Sequence, residues 1–387
     1  MYNVKCLNKI SPVGLARFGA NYTCGEDVEN PEAILVRSAS MHEMELPSSL
    51  LAIARAGAGV NNIPLDKCSE AGICVFNTPG ANANAVKELV IAGLLLASRK
   101  IVPGIEWAKG LKGKGAEVGK LVEKGKSQFV GPEISGKRLG VIGLGAIGIL
   151  VANAAKSLGM EVYGYDPYLS VDAAWGLSRS TKHAQTLDEI YANCDYITLH
   201  LPQNQDTKGM INADSLAKMK DGVRILNFAR GGLVKSADLV AALENGKAAA
   251  YVTDFPDDEL LGAEGVTAIP HLGASTPESE DNCAEMAARQ LREYLETGAI
   301  HNAVNLPACD LAASAPHRLA IIHKNVANMV GQVTSCIAAY DINIDNMINK
   351  SRGSYAYTLL DLADKPSEDC LARLHTIDGI CRVRTVY

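Results

Sequence analysis

Six residues, Gly143-Leu-Gly145-Ala-Ile-Gly148, constrain the fold of this chain more than any other segment, because they join a strand pattern to a helical one. The strand pattern is RLGVI and the helical pattern is AIGILVANAAKSLG. Gly143 permits a tight turn, Gly145 lets an anion approach the backbone, and Gly148 brings helix and strand together. The segment therefore predicts a βαβ unit that holds the pyrophosphate of a dinucleotide at a helix N-terminus.

An acidic residue follows these glycines at the distance that a dinucleotide site requires. Asp166 ends the next strand pattern, about twenty residues further along the chain. Its carboxylate accepts hydrogen bonds from both ribose hydroxyls and would repel a 2′-phosphate. The sequence therefore predicts NAD rather than NADP, and the alternative is a glycine turn with an ordinary strand-end aspartate.

The composition excludes other classes of protein. Of 387 residues, 48% belong to the AVILMFWYC set and 21% are charged, as in globular proteins. Aromatic residues make up 5%, and 37 basic against 43 acidic residues give a net charge of −6, which disfavours nucleic-acid binding. The longest apolar run, LVIAGLLLA, is far shorter than the ~20 residues that cross a bilayer. We expect no nucleic-acid or membrane partner.

The N-terminal residues MYNVKCLNKI lack the basic region, apolar core and cleavage site of a signal peptide. The ten cysteines form no Cys-x-x-Cys pair, so the sequence predicts neither a zinc site nor any other metal site. We expect a cytoplasmic protein whose thiols are reduced.

Strand patterns divide the chain into three segments. RLGVIG, EVYGY, DYITLH, VRILN, AAAYVTD and VTAIP recur between 138 and 271 and predict a doubly wound parallel sheet. Short apolar runs between 33 and 80 predict a second Rossmann-like α/β domain, completed by a helix over 84–100. A long helical pattern after Pro277 is expected to pack back onto that domain. We therefore assign 1–100 with 275–305 to a substrate-binding domain and 101–274 to the dinucleotide domain.

The last segment, 316–387, follows a linker-like stretch. Its patterns read in the order βαββαβ, which predicts a ferredoxin-like module. The predicted fold class is thus α/β, with two Rossmann-like domains and a C-terminal ferredoxin-like domain.

Two polar residues at predicted strand ends suit hydride transfer from a 2-hydroxy acid. Arg230 follows VRILN in NFARGG, and His271 follows VTAIP. Such a reaction needs a cation for the substrate carboxylate and an acid/base for the hydroxyl proton. Asp257, Asp258 and Glu259 are the acids available to orient His271 and stabilise its imidazolium form. The alternatives are a surface arginine and a structural histidine.

The order of the motifs GLGAIG, YDP, NFARGGLV, TDF and PHLGAST resembles that of the D-isomer-specific 2-hydroxyacid dehydrogenases, and among them the D-3-phosphoglycerate dehydrogenases. Upstream, RAGAGVNN at 55–62 (the substrate loop) and NTPG at 77–80 are similar to the substrate-binding segments of that family. The resemblance implies NAD-dependent oxidation of 3-phospho-D-glycerate to 3-phosphohydroxypyruvate, the first step of L-serine biosynthesis. It also implies a homodimer or homotetramer.

The resemblance assigns roles to individual residues. Arg230 would hold the substrate, His271 would be the acid/base, and Glu259 would pair with it. Leu260 follows Glu259 where the family often has proline, and the stretch to His271 is shorter than usual. The implied cofactor contacts are Thr78, Gly143, Gly145, Ala146, Ile147, Gly148, Asp166, Leu201, Phe228, Ala229, Arg230, Asp254, His271 and Gly273. The implied substrate contacts are Arg55, Ala58, Gly59, Asn82 and Arg230.

The C-terminal pattern resembles an ACT domain, a module with which metabolic enzymes bind amino acids. In serine-inhibited relatives a His-x-Asn and a later Asn hold the effector, and the matching residues are His323, Asn325 and Asn343. Val326-Ala327-Asn328 stands in place of the familiar Arg-Pro-Gly. We expect an L-serine effector, and the alternative is a module used only for subunit assembly.

Two other functions fit the same motifs. A dehydrogenase of another D-2-hydroxy acid, such as lactate or glycerate, would share the first two domains. An NAD-binding regulatory protein, like the corepressors that resemble these enzymes, would share the fold without the need for turnover.

Overall fold

The computed structural model describes all residues from Met1 to Tyr387. The contacts between residues divide the chain into two units, one formed by Met1–Asn82 with Pro277–Tyr387 and the other by Ala83–Thr276. None of the helices has the length and apolar character needed to cross a membrane.

The chain forms sixteen strands and thirteen α-helices. The strands are β1 (Tyr2–Leu7), β2 (Tyr22–Gly25), β3 (Ala33–Val36), β4 (Ala52–Arg55), β5 (Cys74–Phe76), β6 (Arg138–Ile142), β7 (Glu161–Tyr165), β8 (Lys182–His183), β9 (Tyr196–Leu199), β10 (Val223–Asn227), β11 (Ala248–Thr253), β12 (Val266–Ala268), β13 (His317–Lys324), β14 (Ile344–Arg352), β15 (Tyr355–Leu362) and β16 (Ile380–Thr385). The helices are α1 (Pro12–Leu15), α2 (Leu65–Glu70), α3 (Ala83–Ser98), α4 (Ile101–Lys109), α5 (Val118–Gly125), α6 (Ala146–Ser157), α7 (Val171–Trp175), α8 (Leu187–Asn193), α9 (Ala213–Lys218), α10 (Ser236–Glu244), α11 (Pro277–Thr297), α12 (Met329–Ala338) and α13 (Glu368–His375).

Five parallel strands form the first sheet of the first unit, in the order β2-β1-β3-β4-β5. All four residues of β3 are buried, which explains its uninterrupted apolar sequence, because a central parallel strand is covered on both faces. Helix α11 packs on this sheet through Ala287, Leu291 and Tyr294. The expectation that the helix after Pro277 returns to the first domain is confirmed.

Seven parallel strands form the sheet of the second unit, in the order β12-β11-β10-β9-β6-β7-β8. All six predicted strand segments between 138 and 271 are strands here. The strand order reverses at β6, since β7 lies on one side of it and β9 on the other. This is the doubly wound arrangement, and ligands bind in such sheets at the carboxyl ends of the strands beside the reversal.

Helix α3 groups with the second unit, whereas the sequence assigns residues up to 100 to the first domain. Its apolar side, which includes Val86, Val90 and Leu94, packs with residues of the second sheet such as Val141. The contact is close, because a Cβ placed on Gly93 would lie 2.7 Å from the ring of Phe228. The periodicity of α3 predicts its buried side but not the sheet that this side covers.

The C-terminal residues fold in the predicted order, β13-α12-β14-β15-α13-β16, as a four-stranded antiparallel sheet with strand order β14-β15-β13-β16. This part is called the C-terminal module. One face of its sheet packs against α12 and α13 through residues such as Val333 and Leu374. Ile322 and Leu359 on the other face share a core with the first sheet. The contacts therefore place the module within the first unit, whereas the sequence separates 316–387 as a domain.

Candidate active site

The three glycines at the junction of β6 and α6 occupy positions that side chains would obstruct or fill. Gly143 has a φ of +94°, a conformation that L side chains rarely adopt. A Cβ on Gly148 would lie 1.9 Å from the carbonyl oxygen of Gly143. No atom lies within 4 Å of a Cβ built on Gly145, so this residue leaves open space at the first turn of α6. The first amides of a helix have no acceptor within it and attract anions. The geometry is that of a phosphate cradle.

Asp166 stands at the end of β7, the strand next to this cradle. Its two carboxylate oxygens accept hydrogen bonds from the backbone N–H groups of Leu144 and Tyr168, both at 2.8 Å. These bonds fix the carboxylate beside the glycine turn, and each oxygen keeps a lone pair for a further donor. The acid that the sequence predicts for the ribose is thus held in place by the cradle itself.

A buried asparagine sets the backbone of Arg230. The Oδ1 atom of Asn227, at the end of β10, accepts from the N–H groups of Ala229 at 3.2 Å and Arg230 at 3.3 Å, and its Nδ2 atom donates to the Arg230 carbonyl at 2.9 Å. The Arg230 side chain is exposed. Sequence reasoning identified Arg230 and missed Asn227, although NFARGG contains both.

His271 follows β12 and is exposed. Its ring packs against Phe255, with ring centroids 4.5 Å apart. Glu259 is exposed on the loop after β11, and the histidine ion pairs of the chain are those of His301, not of His271. Asp257 instead accepts from the Ser236 hydroxyl at 2.5 Å. Asp257 also accepts from the N–H of Leu260, so the loop closes in a turn of its own and the structure does not pair a predicted carboxylate with His271.

Asp254 is the buried carboxylate beside this edge of the sheet. It is 1% exposed; its Oδ2 atom accepts from the Gly273 N–H at 3.3 Å, and its Oδ1 atom has no hydrogen-bond partner. Burial raises the pKa of Asp254, and positive charge at His271 and Arg230 opposes that rise. A buried acceptor without a donor is costly, so Asp254 is suited to receive an N–H group from a ligand.

His200, which the sequence reasoning did not single out, ends β9 beside the cradle. Burial lowers the pKa of its imidazole to about 3, so the ring is neutral at physiological pH. Its Nε2 atom lies 3.0 Å from the hydroxyl of Thr198, and its carbonyl oxygen would lie 2.5 Å from a Cβ on Gly143. The sequence signal that could have identified His200 is its position directly after the strand pattern DYITL.

The other predicted cofactor contacts differ in exposure. Leu201 and Ala229 are half-buried at strand ends. Phe228 is 6% exposed and packs against α3. Ala146 and Ile147 form the first turn of α6.

In the first unit, hydrogen bonds hold the substrate loop. The Arg55 guanidinium donates to the carbonyl oxygens of Arg37, at 3.0 Å, and Gly59, at 2.5 Å. Asn77 donates through Nδ2 to the Ala58 carbonyl at 2.6 Å. The N–H of Thr78 donates to the loop carbonyl of Gly57, 3.1 Å away. Arg55 therefore shapes the loop from within.

Thr78 is buried, and its hydroxyl oxygen has no partner in the chain. Asn82, another predicted substrate contact, is half-buried at the end of the first segment of this unit.

The predicted effector residues of the C-terminal module contact other residues of the module. His323 is 2% exposed; its Nδ1 atom lies 2.8 Å from the Lys324 carbonyl and its Nε2 atom 2.9 Å from the Thr358 hydroxyl. Asn325 donates through Nδ2 to the Gly353 carbonyl at 3.2 Å.

Asn343 lies at the opposite end of the sheet from His323. Strands β13 and β14 both pair antiparallel with β15, so they run in the same direction. His323 is close to the end of β13, and Asn343 precedes the start of β14. Within one chain the three residues therefore do not form one cluster.

Comparisons with known proteins show what the second unit is similar to. Residues 91–273 match the family model described as the NAD binding domain of D-isomer specific 2-hydroxyacid dehydrogenases. The chain is similar to the curated D-3-phosphoglycerate dehydrogenase of Bacillus subtilis, with 34% identity over 298 residues, 73% of this chain and 53% of that protein. For the same enzyme of Archaeoglobus fulgidus the identity is 36% over 297 residues, again 73% and 53%.

Solved structures give the same fold. A glyoxylate reductase from Paecilomyes thermophila is 27% identical, with a TM-score of 0.64 over 78% of this chain and 98% of that one. The NAD+-bound 3-phosphoglycerate dehydrogenase of Entamoeba histolytica, at 24% identity and a TM-score of 0.59, covers 79% and 98% and shows the fold alone.

The chain spans about half the length of the curated relatives it matches. The family model covers the C-terminal half of helix α3 and the whole seven-stranded sheet, up to Gly273. The segment 91–273 is therefore similar to the NAD-binding domain of the D-isomer-specific 2-hydroxyacid dehydrogenases.

Proposed function

We propose that the chain is an NAD-dependent dehydrogenase that oxidises 3-phospho-D-glycerate to 3-phosphohydroxypyruvate, the first step of L-serine biosynthesis. The observation that carries this proposal is the position of three polar residues, Arg230, Asp254 and His271, which follow β10, β11 and β12 at the same carboxyl edge of the sheet as the glycine turn after β6. The similarity to two D-3-phosphoglycerate dehydrogenases at 34% and 36% identity supports this choice of substrate.

The residues of the second unit fit NAD. Gly145 leaves space for the pyrophosphate, the α6 amides would bind it, and Asp166 would accept the ribose hydroxyls. The unpartnered Oδ1 atom of Asp254 would accept the carboxamide N–H group. Bound NAD supplies a nicotinamide ring that accepts a hydride. The family resemblance also implies cofactor contacts by Leu201, Phe228, Ala229 and Gly273 and, in the first unit, by Thr78, and these remain proposals.

In the proposed reaction the residues of this chain bind the substrate and move one proton. Arg230 would hold the carboxylate and stabilise charge on the substrate oxygen, and His271 would take the hydroxyl proton. Its exposed ring is open to a substrate. Glu259, which is exposed on the loop after β11, would stabilise the imidazolium form. In the first unit, Arg55, Ala58, Gly59 and Asn82 are the proposed substrate contacts.

We further propose that the C-terminal module is an ACT domain and that the chain assembles as a homo-oligomer. Asn325 and Asn343 are exposed at opposite ends of one sheet. An L-serine site that used both would therefore be completed by a second copy of the chain.

Turnover of 3-phosphoglycerate with NAD, followed at the absorbance of the reduced nicotinamide, tests the proposed activity. D-lactate and D-glycerate are the competing substrates. We expect the highest kcat/KM for the phosphorylated acid. Equal values for the three acids would favour a general D-2-hydroxyacid dehydrogenase, and NAD binding without any turnover would favour a regulatory protein.

The variant His271→Ala tests the proposed acid/base. We expect turnover to fall by the ~10²–10⁴-fold typical of a lost general acid/base, with little change in NAD affinity. His183→Ala is the matched control, because His183 is an exposed histidine of the same sheet. Wild-type kinetics in His271→Ala would exclude His271 from the reaction.

A further inference from the structure

The backbone carbonyl of Asn77 is held by two side chains that the proposed reaction does not use. Gln290, on α11, donates to this oxygen through Nε2 at 2.9 Å, and Asn302 donates through Nδ2 at 3.0 Å. The Asn302 Nδ2 atom also lies 3.1 Å from Asn77 Oδ1 and 3.1 Å from Gln290 Oε1. Three acceptors therefore converge on one amide group that has two protons.

This arrangement orients the Asn77 side chain toward the substrate loop. With Oδ1 directed at Asn302, the Nδ2 atom of Asn77 donates to the Ala58 carbonyl, 2.6 Å away. The next residue, Thr78, donates its N–H to Gly57 in the same loop. Loss of the Asn302 amide would leave Asn77 Oδ1 without its donor and free the side chain that holds Ala58.

An arginine of the C-terminal module contacts the residue next to Asn302. Arg352 ends β14 at the hairpin that leads into β15, and its Nη1 atom donates to the Ala303 carbonyl at 2.7 Å. The hairpin is held in turn by Asn325, whose N–H donates to Ser354 at 2.9 Å and whose side chain donates to Gly353. A continuous set of contacts thus runs from Asn325 through the hairpin to the substrate loop.

We propose that Asn302 and Arg352 are positioning residues, through which the C-terminal module sets the conformation of the substrate loop and hence the affinity for substrate. Neither residue touches a reacting atom. The inference rests on the proposed function, because it assigns substrate binding to residues 55–62. It adds a route by which a ligand of the module would change KM without a change in the chemistry at His271.

A second arginine of the module provides a control that distinguishes positioning of the substrate loop from mere attachment of the module. Arg382, on β16, donates through Nη2 to the Ala71 carbonyl at 3.0 Å and through Nη1 to the Ser48 carbonyl at 3.1 Å. It therefore attaches the module to other residues of the first unit, as Arg352 does, through a cation and backbone carbonyls. Its acceptors have no hydrogen bond to Asn77 or to Asn302.

The test compares Asn302→Ala and Arg352→Ala with the control Arg382→Ala. We expect each of the first two to raise KM for 3-phosphoglycerate about three- to tenfold, the range of one or two lost hydrogen bonds, with kcat nearly unchanged. Arg352→Lys should restore most of the affinity, since a single donated bond is needed. Arg382→Ala should lower the thermal unfolding temperature and leave KM unchanged.

Hydrogen exchange of the peptide that contains residues 55–62 provides a readout that does not depend on turnover. Faster exchange in Asn302→Ala and Arg352→Ala, but not in Arg382→Ala, supports the proposal even if 3-phosphoglycerate is not the substrate. The double variant should add little to either single one, since both act through one set of contacts. Unchanged exchange and KM in Arg352→Ala, or equal changes in Arg382→Ala, would overturn the inference.

Discussion

The cradle at 143–148 and the substrate loop at 55–62 are both glycine-rich, and both follow the carboxyl end of a parallel strand, β6 and β4 respectively. They differ in what surrounds the glycines. Backbone carbonyl oxygens obstruct a Cβ at Gly148, at 1.9 Å, and at Gly143, at 2.5 Å. The atom nearest to a Cβ at Gly59 is the Nη1 atom of Arg55, at 2.9 Å. The backbone thus determines the cradle, and side chains determine the loop.

Because of this difference, the two segments tolerate different substitutions of glycine. A backbone carbonyl within a helix-strand contact moves only with the elements that carry it, so the cradle requires glycine at fixed positions. The end of an arginine side chain moves at small cost, so position 59 of the loop tolerates a methyl group. The loop instead depends on distant donors such as Asn77 and Asn302, which the cradle does not need.

Among variants of the cradle and the substrate loop, Gly148→Ala is expected to have the largest effect. The new methyl group would overlap the Gly143 carbonyl, and overpacking of this kind costs about 1–3 kcal/mol of folding stability. A displacement of α6 near 1 Å would also misplace the amides of the cradle, and turnover would fall on the order of 10²-fold. Thermal unfolding and calorimetric titration with NAD measure both effects.

Gly145→Ala is the control for this variant. No atom lies within 4 Å of its Cβ, so the unfolding temperature should stay near that of the parent protein. NAD affinity should fall nevertheless, because the methyl group enters the space proposed for the pyrophosphate. An unchanged unfolding temperature in Gly148→Ala would show that backbone obstruction does not determine the cradle.

The same contrast explains which features the sequence predicted. The glycine turn at Gly143 and six of the seven strands of the second sheet depend on short-range patterns, such as the apolar run in RLGVI, and these structural predictions are confirmed. The order of elements in the C-terminal module was also predicted from local periodicity.

Features that depend on distant partners were not predicted. The pattern of α3 does not show that it packs with Val141. Gln290 and Asn302 are 213 and 225 positions from Asn77, and no local signal connects them. A histidine such as His323 is a residue type that can bind an effector, but both of its ring nitrogens already form hydrogen bonds with Lys324 and Thr358 of the same sheet.

A smaller effect is expected for Arg55→Ala, which removes the charged donor to the carbonyls of Arg37 and Gly59. Hydrogen bonds to charged groups contribute about 1.5–3 kcal/mol, which corresponds to a rise in KM of roughly 10-fold or more. NAD affinity should not change. Arg55→Lys should not restore the loop, because one ammonium group does not reproduce the two directions of a guanidinium. Kinetics at saturating NAD measure the effect, and an unchanged KM would show that the loop holds its shape without Arg55.

The smallest effect is expected for Gly59→Ala, which makes the same chemical change as Gly148→Ala. The methyl group would meet only the Nη1 atom of Arg55, at 2.9 Å, and the side-chain oxygen of Asn61, at 3.4 Å. A shift of a few tenths of an ångström at the end of either side chain relieves these contacts. The loss of free energy is therefore smaller than that of one hydrogen bond. We expect KM to rise by no more than about threefold, with no change in unfolding temperature. A loss of substrate binding as large as that of Arg55→Ala would mean that the loop backbone, like the cradle, has no room to move.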